Sequence, residues 1–200
     1  MSQLKLTADS GGGTVAIKGP ASTTGNGAID LTVPGTASAT LDTLNRAGNI
    51  LQVVSVTKTD TFSTSSSSFT DITGLSVTIT PSSSSSKILV LFGIFGSNSN
   101  AGSRWAVRLV RDSTPIAIGD ANGNRARVTG SSETSGAGGN MKCFSGNHLD
   151  SPSTTSATTY KFQAGAIDGN TLKINASVDD SNIASYPRTA SYLTVMEVAA

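Results

Sequence analysis

Three groups of side chains in this 200-residue chain are of the types that catalysis or metal binding uses. His148 is the only histidine, so one chain cannot build a site with several histidine ligands. Asp120, Asn122 and Asn124 have the alternating spacing of a calcium-binding loop, but the sequence lacks the distal glutamate that would complete one. We interpret this stretch as a turn between strands.

The third group is Asp179 and Asp180, two adjacent carboxylates in a stretch that reads as a loop. Glycoside hydrolysis needs two carboxyl groups that face each other across roughly 5–10 Å, and neighbours on one loop do not provide that. The single Cys143 excludes an intrachain disulfide. We therefore expect no enzymatic activity, no catalytic residue, no metal and no cofactor. An ordinary hydrogen-bonded His148 is favoured, and a metal ion held by three copies of it around an axis is the minor alternative.

The amino-acid composition limits the classes of partner that the chain can have. The formal net charge is +1 and 14% of residues are charged, so the chain has no electrostatic footprint for nucleic acid. Serine and threonine exceed a quarter of the chain and glycine is abundant, which is typical of strands joined by many turns. The N-terminal residues lack the basic and apolar segments of a secretory signal. We expect a protein made in a cytoplasm that neither binds nucleic acid nor inserts into a membrane.

The segment Lys87–Gly96, KILVLFGIFG, is the one around which we expect the fold to be organised. It is about half the roughly 20 residues of a membrane span, and its two glycines and missing polar face make it a poor surface helix. As a strand it has two apolar faces, which predicts that both are buried. One face would pack on the opposite sheet, and a second copy of the chain is the simplest cover for the other. The first face carries Ile88, Val90, Phe92 and Ile94, and the second carries Leu89, Leu91, Gly93 and Phe95.

Residues 1–49 differ in composition from the rest, because they contain no aromatic residue; the first aromatic residue of the protein is Phe62. Such a segment cannot bury enough surface to fold alone. We predict an N-terminal shaft whose short strands pair between chains, with a disordered tail as the alternative. A short helix over Thr40–Gly48 is also predicted, with the glycine at its end. The predicted strands are Leu4–Leu6, Val15–Ile17 and Ile29–Val33.

Residues 50–200 contain apolar segments of six to ten residues separated by Ser/Thr/Gly/Asn loops, a spacing that predicts an antiparallel jelly-roll β-sandwich. The fold class is thus all-β. We favour a kink within one long strand at Asp168–Asn170 over a hairpin turn there. The predicted strands are Leu51–Lys58, Phe69–Thr80, Lys87–Ser97, Arg104–Val110, Ile116–Gly119 with Arg125–Val128, Asn140–Leu149, Thr159–Ile167 with Leu172–Ala176, and Ser191–Val198.

Several of these segments resemble the terminal domain of tailed-bacteriophage fibre proteins. They are ILQVV (50–54), SVTITPSSSSSKILV (76–90), LDSPSTTSATTYKFQ (149–163) and SYPRTASYLTVMEVAA (185–200). The opening LKLTADSGGGTVAIKGPASTTGNGAIDLTVP (4–34) resembles the strand–glycine–strand–proline elements of fibre shafts. The resemblance implies a homotrimer with a tumour-necrosis-factor-like jelly roll at the end remote from its attachment, and it implies location in the virion.

Two functions follow from this resemblance. The first is a homotrimeric fibre of the tail or capsid, which joins other virion proteins through residues 1–49 and contacts a host surface glycan or protein with its tip. The alternative is a decoration or cement protein without a receptor-binding role. In either, we expect the trimer interface to include Leu89, Leu91, Phe95, Leu193 and Val195.

The receptor-contact candidates lie at the margins of loops that we expect at the end away from the N-terminal segment. Tyr186 and Arg188 flank Pro187 in the polar loop Val178–Ala190, where a stiffened backbone loses little entropy on binding. A structural clip before the last strand is the alternative role, because the resemblance places a similar Tyr-Pro-Arg stretch there. The other candidates are Trp105 and Arg104, and for Trp105 a core position is favoured.

Overall fold

A computed structural model describes residues 46–100, 102–134 and 138–200 of the chain, and within these it contains eleven β-strands and no helix. For the described residues, the prediction of an all-β fold is confirmed. The predicted shaft strands and residues 40–45 of the predicted helix lie outside the described residues, and Arg46–Gly48 form a turn. The strands are β1 (Ile50–Lys58), β2 (Phe62–Thr64), β3 (Thr70–Ile79), β4 (Lys87–Asn98), β5 (Arg104–Arg111), β6 (Thr114–Ile116), β7 (Gly130–Glu133), β8 (Lys142–Asp150), β9 (Thr158–Gly165), β10 (Leu172–Ile174) and β11 (Ser191–Val198).

The strands form two antiparallel sheets. In the first, β4 pairs along one edge with β8 and along the other with β11 and then β10, while β1 and β2 complete it on the outside. The second has the order β3-β9-β5-β6, with β7 also on the free edge of β5. Consecutive strands alternate between the sheets over most of the chain, as in a jelly-roll sandwich. This confirms the predicted fold class of residues 50–200.

The core lies between the sheets and is built on one face of β4. Ile88, Val90 and Ile94 of that face are completely buried, and the ring of Phe92 packs at a tilt against that of Phe162 in β9, with ring centroids 4.8 Å apart. Among the described residues, therefore, only one of the two apolar faces of β4 is fully covered. The opposite face, which carries Leu89, Leu91 and Phe95, is half-exposed.

Buried and outward-facing residues also alternate along the last strand, β11. Their positions correct part of the predicted trimer interface. Leu193 and Val195 have no exposed surface and belong to the core cluster between the sheets. They face the same way as Val90 and Phe92, with which they are in register. Because residues two apart share a face of a strand, the outward residues of β11 are instead Tyr192, Thr194 and Met196.

The prediction of the fifth strand is wrong. Only Ile116 of the predicted segments Ile116–Gly119 and Arg125–Val128 belongs to a strand, as the end of β6. Ala117 adopts a left-handed φ of +51°, which ends the extended conformation, and the chain then runs irregularly to β7. The sequence GSSE of β7 has no apolar alternation, so its pairing with β5 comes from the neighbouring strand and not from its own pattern.

The predicted kink at Asp168–Asn170 is also wrong, because β9 and β10 belong to different sheets. A tight turn reverses the chain between them: Gly169 has a φ of +77° and its N–H donates to the Ala166 carbonyl at 2.9 Å. The loop after β10 nevertheless lies at the expected end. Strand β11 starts at Ser191 opposite Lys58, the last residue of β1, so Val178–Ala190 is remote from the point where β1 begins.

Candidate interaction surfaces

The uncovered face of the first sheet, hereafter the outer face, carries a continuous apolar row. In register across four strands, Leu149 of β8 lies beside Leu89 of β4, which lies beside Met196 of β11, which lies beside Val53 of β1. Leu149 and Val53 are 49% and 54% exposed. These side chains fill no other part of the chain's own core, so the row is a surface suited to a partner.

The next rows of the outer face are more polar. Leu91 is in register with Thr194, whose hydroxyl shares a hydrogen bond of 2.8 Å with the hydroxyl of Ser55. One row further along, Tyr192 is 42% exposed and lies across Gly93. The outer face therefore combines an apolar row with an aromatic ring and hydroxyl groups, which is the mixture found at interfaces between protein chains.

The second surface is the loop Val178–Ala190, hereafter the apical loop, which carries the candidates Tyr186 and Arg188. Arg188 donates two hydrogen bonds to the carboxylate of Asp180, from Nε to Oδ1 at 2.6 Å and from Nη2 to Oδ2 at 2.9 Å. Such a bidentate pair fixes the geometry of both side chains. Asp180 adopts a left-handed φ of +50°, which is uncommon for a residue other than glycine.

Backbone contacts hold the apical loop on the sandwich. Arg188 forms an isolated antiparallel bridge with Ala176, and the N–H of Asp179 donates to the Gly138 carbonyl at 3.2 Å. The ring of Tyr186 lies against Gly138, where an added Cβ would come within 3.2 Å of it. The sequence-predicted pair Tyr186 and Arg188 is thus brought together at one site, where intrachain contacts hold the loop as a clip would; recognition by the pair stays a prediction.

A groove of about 360 Å³ opens between the two arms of the apical loop. The aspartate–arginine pair forms one part of its wall, and the half-buried Tyr186 and the 55% exposed Ile183 form another. Its remaining wall is polar and uncharged. The lining residues are Asp180, Ser181, Asn182, Ile183, Tyr186 and Arg188.

The two remaining receptor-contact candidates, Trp105 and Arg104, lie in different environments. Trp105 is completely buried in the core beneath Gly96, so it is not a receptor contact, and its core position is confirmed. Arg104, the preceding residue, points out of the sandwich with a side chain that is 58% exposed. It lies 3.7 Å from Glu133 and 3.7 Å from Asp168, and it does not line the groove.

Sequence reasoning missed Glu197, which is fully buried at the end where β1 begins. Its carboxylate accepts hydrogen bonds from Nε2 of Gln52 at 2.6 Å and from both the N–H and hydroxyl of Ser82 at 2.7 Å. Burial by itself raises the pKa of this carboxyl, but these bonds and one from Ser86 outweigh it and lower the pKa to about 2. The available signal was its position two residues after Val195, on the core-facing side of β11.

A second buried polar cluster was also missed. Arg111 donates from Nη1 to both carboxylate oxygens of Asp150 at 3.0 and 2.9 Å, and the Tyr160 hydroxyl donates to Oδ2 of the same carboxylate at 2.6 Å. Burial, followed by this bond to Asp150, raises the pKa of Tyr160 far above its ordinary value. The cluster joins β5, β8 and β9, so we assign it a structural role.

Two further observations on the described part of the chain concern metal binding and membrane-spanning helices. No group of three or more His, Cys, Asp or Glu side chains there is arranged to hold a metal ion. His148 is in register with the core-facing Val90, so it does not belong to the outer face on which copies would meet. Among residues 46–100, 102–134 and 138–200 there is also no helix long and apolar enough to cross a membrane.

Comparison with known proteins assigns no family. No family model matches the sequence, and no curated protein matches it. Among solved structures, T=1 particles derived from infectious bursal virus align with a TM-score of 0.40 and 16% identity over 85% of this chain and 40% of that one. The VP2 subviral particle of infectious bursal disease virus aligns with a TM-score of 0.38, also at 16% identity, over 85% of this chain and 42% of that one. The chain thus spans well under half the length of these capsid structures.

Proposed function

We propose that this chain is a virion structural protein: a homotrimeric phage fibre whose distal jelly-roll tip contacts the host surface. The observation that carries the proposal is the apolar row of Leu149, Leu89, Met196 and Val53 on the outer face. The other face of the same sheet already forms the core, so no core of the described residues accommodates the row. Together with the sequence resemblance to fibre tips, it supports assembly through this sheet.

Burial of the outer face gives assembly its driving force. Complete burial of a Leu, Val, Met or Phe side chain contributes roughly 1.5–3 kcal/mol, and half-exposed side chains contribute a part of that. Each copy would add the apolar row together with Leu91 and Phe95, which are also half-exposed. A threefold arrangement repeats this gain in every copy, and the hydroxyl pair of Ser55 and Thr194 adds polar contacts at the same surface.

The direction of the chain separates the two ends of the proposed fibre. Gly48 donates its N–H to the Ala199 carbonyl at 2.8 Å, and the N–H of Ala199 donates to the Asn49 carbonyl at 2.9 Å. The chain therefore enters the sandwich beside its C-terminus, at the end opposite the apical loop. We assign attachment to other virion proteins to residues 1–49 and host contact to the apical loop, with Tyr186 and Arg188 as its main contacts and Arg104 as a further one.

Assembly is tested with Leu91→Asp. Leu91 is half-exposed in the single chain, so the substitution leaves the sandwich folded, but a charge buried without a partner in each copy abolishes the trimer. Ile183→Asp is the matched control, because Ile183 is an exposed apolar residue of the apical loop. Light scattering is expected to give a trimeric mass for the wild type and the control and a monomeric mass for Leu91→Asp. A folded monomeric wild type overturns the proposal.

Host contact is tested separately with the double variant Tyr186→Ala, Arg188→Ala in particles that carry the protein. We expect normal assembly with loss of adsorption to host cells. Unchanged adsorption would assign the protein to the decoration or cement class. A collapse of thermal stability would instead identify the tripeptide around Pro187 as a structural clip.

A further inference from the structure

We infer that the groove of the apical loop is a binding site for a neutral pyranose sugar; this rests on the proposed function and names the ligand class for its host-facing site. The groove holds about 360 Å³, at the lower end of the volumes typical of small-molecule sites. It is formed by one continuous segment from Asp180 to Arg188, so a single loop supplies every contact to the ligand.

Hydrogen bonds within the apical loop preorganise the groove in the absence of a ligand. The N–H of Tyr186 donates to the Ile183 carbonyl at 2.9 Å, and the N–H of Ile183 donates to the Ser181 carbonyl at 2.8 Å. The Asp180–Arg188 pair closes the loop across its open side. These contacts, together with Pro187, remove conformational freedom from the loop, so little ordering entropy remains to be lost on binding.

The electrostatics favour a ligand without charge. Asp180 and Arg188 are the only ionisable side chains besides Tyr186 in the groove wall, and their bidentate pair cancels their charges. An anionic ligand would be repelled by the Asp180 carboxylate, and a cationic ligand would be repelled by the Arg188 guanidinium, so neither charge gains net attraction from the pair. A neutral ligand keeps the pair intact.

The pair still has capacity for hydroxyl groups. It uses Nε and Nη2 of Arg188, and a guanidinium has five N–H donors, so donors remain for ligand oxygens. The Asp180 oxygens each retain an acceptor site, and the exposed amide of Asn182 supplies both a donor and an acceptor. A sugar hydroxyl both donates and accepts, so it matches this alternation of groups.

The apolar part of the groove matches the other side of a pyranose. The Tyr186 ring is held against Gly138, so it presents a fixed surface, and Ile183 lies in the same wall with 55% of its surface exposed. The C–H face of a pyranose ring packs well on such a surface, while its hydroxyl edge reaches the polar residues. An aromatic ring with adaptable polar neighbours is a general arrangement for binding surfaces of mixed polarity.

The test is a titration of the isotopically labelled full-length protein with methyl glycosides of glucose, galactose, mannose and N-acetylglucosamine, with methyl glucuronide as the anionic comparison. We expect at least one neutral glycoside to shift the amide resonances of residues 180–186 and 188 with millimolar affinity, and the glucuronide to bind at least about tenfold more weakly. Absence of shifts with all four neutral glycosides, or preference for the glucuronide, overturns the inference.

Variants then assign the binding to the groove. Tyr186→Ala is expected to weaken binding at least about tenfold, whereas Tyr186→Phe keeps the ring and the affinity. Arg188→Ala is compared with Arg104→Ala, because both arginine side chains are 58% exposed and paired with an aspartate, but only Arg188 lines the groove. Equal effects of the two arginine substitutions contradict the site.

The result of the glycoside titration does not depend on whether the protein forms the proposed trimer. Sugar binding by a protein of monomeric mass would sustain the groove and refute the fibre trimer. A trimer that adsorbs to cells but shows no glycoside shifts would sustain the fibre and refute the groove. If Tyr186→Ala unfolds the protein, its loss of binding does not test the groove. Arg188→Lys then does: it is expected to lose affinity at an unchanged melting temperature, because lysine lacks the planar fork of arginine.

Discussion

The ring of Tyr192 lies across Gly93 on the outer face of the first sheet, so close that a Cβ added to Gly93 would come within 2.5 Å of it. The two residues are in register on neighbouring strands, β11 and β4. The glycine therefore lets an aromatic ring lie flat on the centre of the face that we propose as the assembly surface. Tyr192 is 42% exposed, so part of its ring remains accessible at this face.

Gly93→Ala is expected to weaken trimer assembly at least about tenfold while the single chain stays folded. The displaced atoms are at the end of the Tyr192 side chain, which can swing into solvent in a monomer but not beneath a second copy. Sedimentation velocity over a range of concentrations measures the change. Gly119→Ala serves as the control, because an added Cβ there meets nothing within 4 Å. Equal dissociation constants for wild type and Gly93→Ala would remove Gly93 from the interface.

The two faces of the first sheet should respond differently to truncation of leucine. In the monomeric Leu91→Asp background, Leu193→Ala is expected to lower the free energy of unfolding by about 2–5 kcal/mol, because it leaves a cavity in the core. Leu149→Ala, at a side chain that is 49% exposed, should cost less than about 1 kcal/mol there. Urea unfolding measures both. Similar costs would mean that the faces are assigned wrongly.

Glu197 should make the stability depend on acid pH. Its folded-state pKa of about 2 lies below the ordinary value of 4.5, so the ionised carboxylate stabilises the folded chain above pH 4.5. This contribution, on the order of 3 kcal/mol, is lost as the pH falls from 4.5 towards 2. Glu197→Gln should therefore be less stable than wild type at pH 7, with the difference shrinking over that range.

Urea unfolding at a series of pH values measures this difference. Glu133→Gln is the matched control, since the Glu133 side chain is 49% exposed and its loss should change stability little at any pH. A Glu197→Gln variant whose deficit is the same at pH 7 and pH 2 would show that the carboxylate charge is not what the surrounding donors stabilise.

The cluster around Asp150 predicts the effect of removing one hydroxyl group. Tyr160→Phe deletes a hydrogen bond of 2.6 Å to a buried carboxylate and should lower the free energy of unfolding by about 1.5–3 kcal/mol. Tyr186→Phe, at a half-buried tyrosine of the apical loop, should cost much less. Chemical denaturation compares the two. Equal small costs would indicate that Arg111 alone satisfies Asp150.

Strand positions with strong apolar alternation could be predicted from the sequence. Lys87–Gly96 was recognised as the central strand, and its core face of Ile88, Val90, Phe92 and Ile94 is buried as the alternation requires. Strand β7, with the sequence GSSE, gave no such signal, because pairing with β5 holds it in place. Leu193 and Val195 were recognised as buried, but the sequence did not show which neighbour buries them.

The sequence by itself determined that residues 50–200 form an all-β fold, that β4 is apolar on both faces, and that the Tyr-Pro-Arg tripeptide lies in a polar loop before the last strand. Only the tertiary structure decided which face of β4 became the core, that β9 and β10 lie in different sheets, and that Asp180 pairs with Arg188 beside Tyr186. The physical reason is that alternation along a strand separates its two faces but does not identify them. The order of strands in the sheets, set by hydrogen bonds between residues distant in sequence, determines what each face meets.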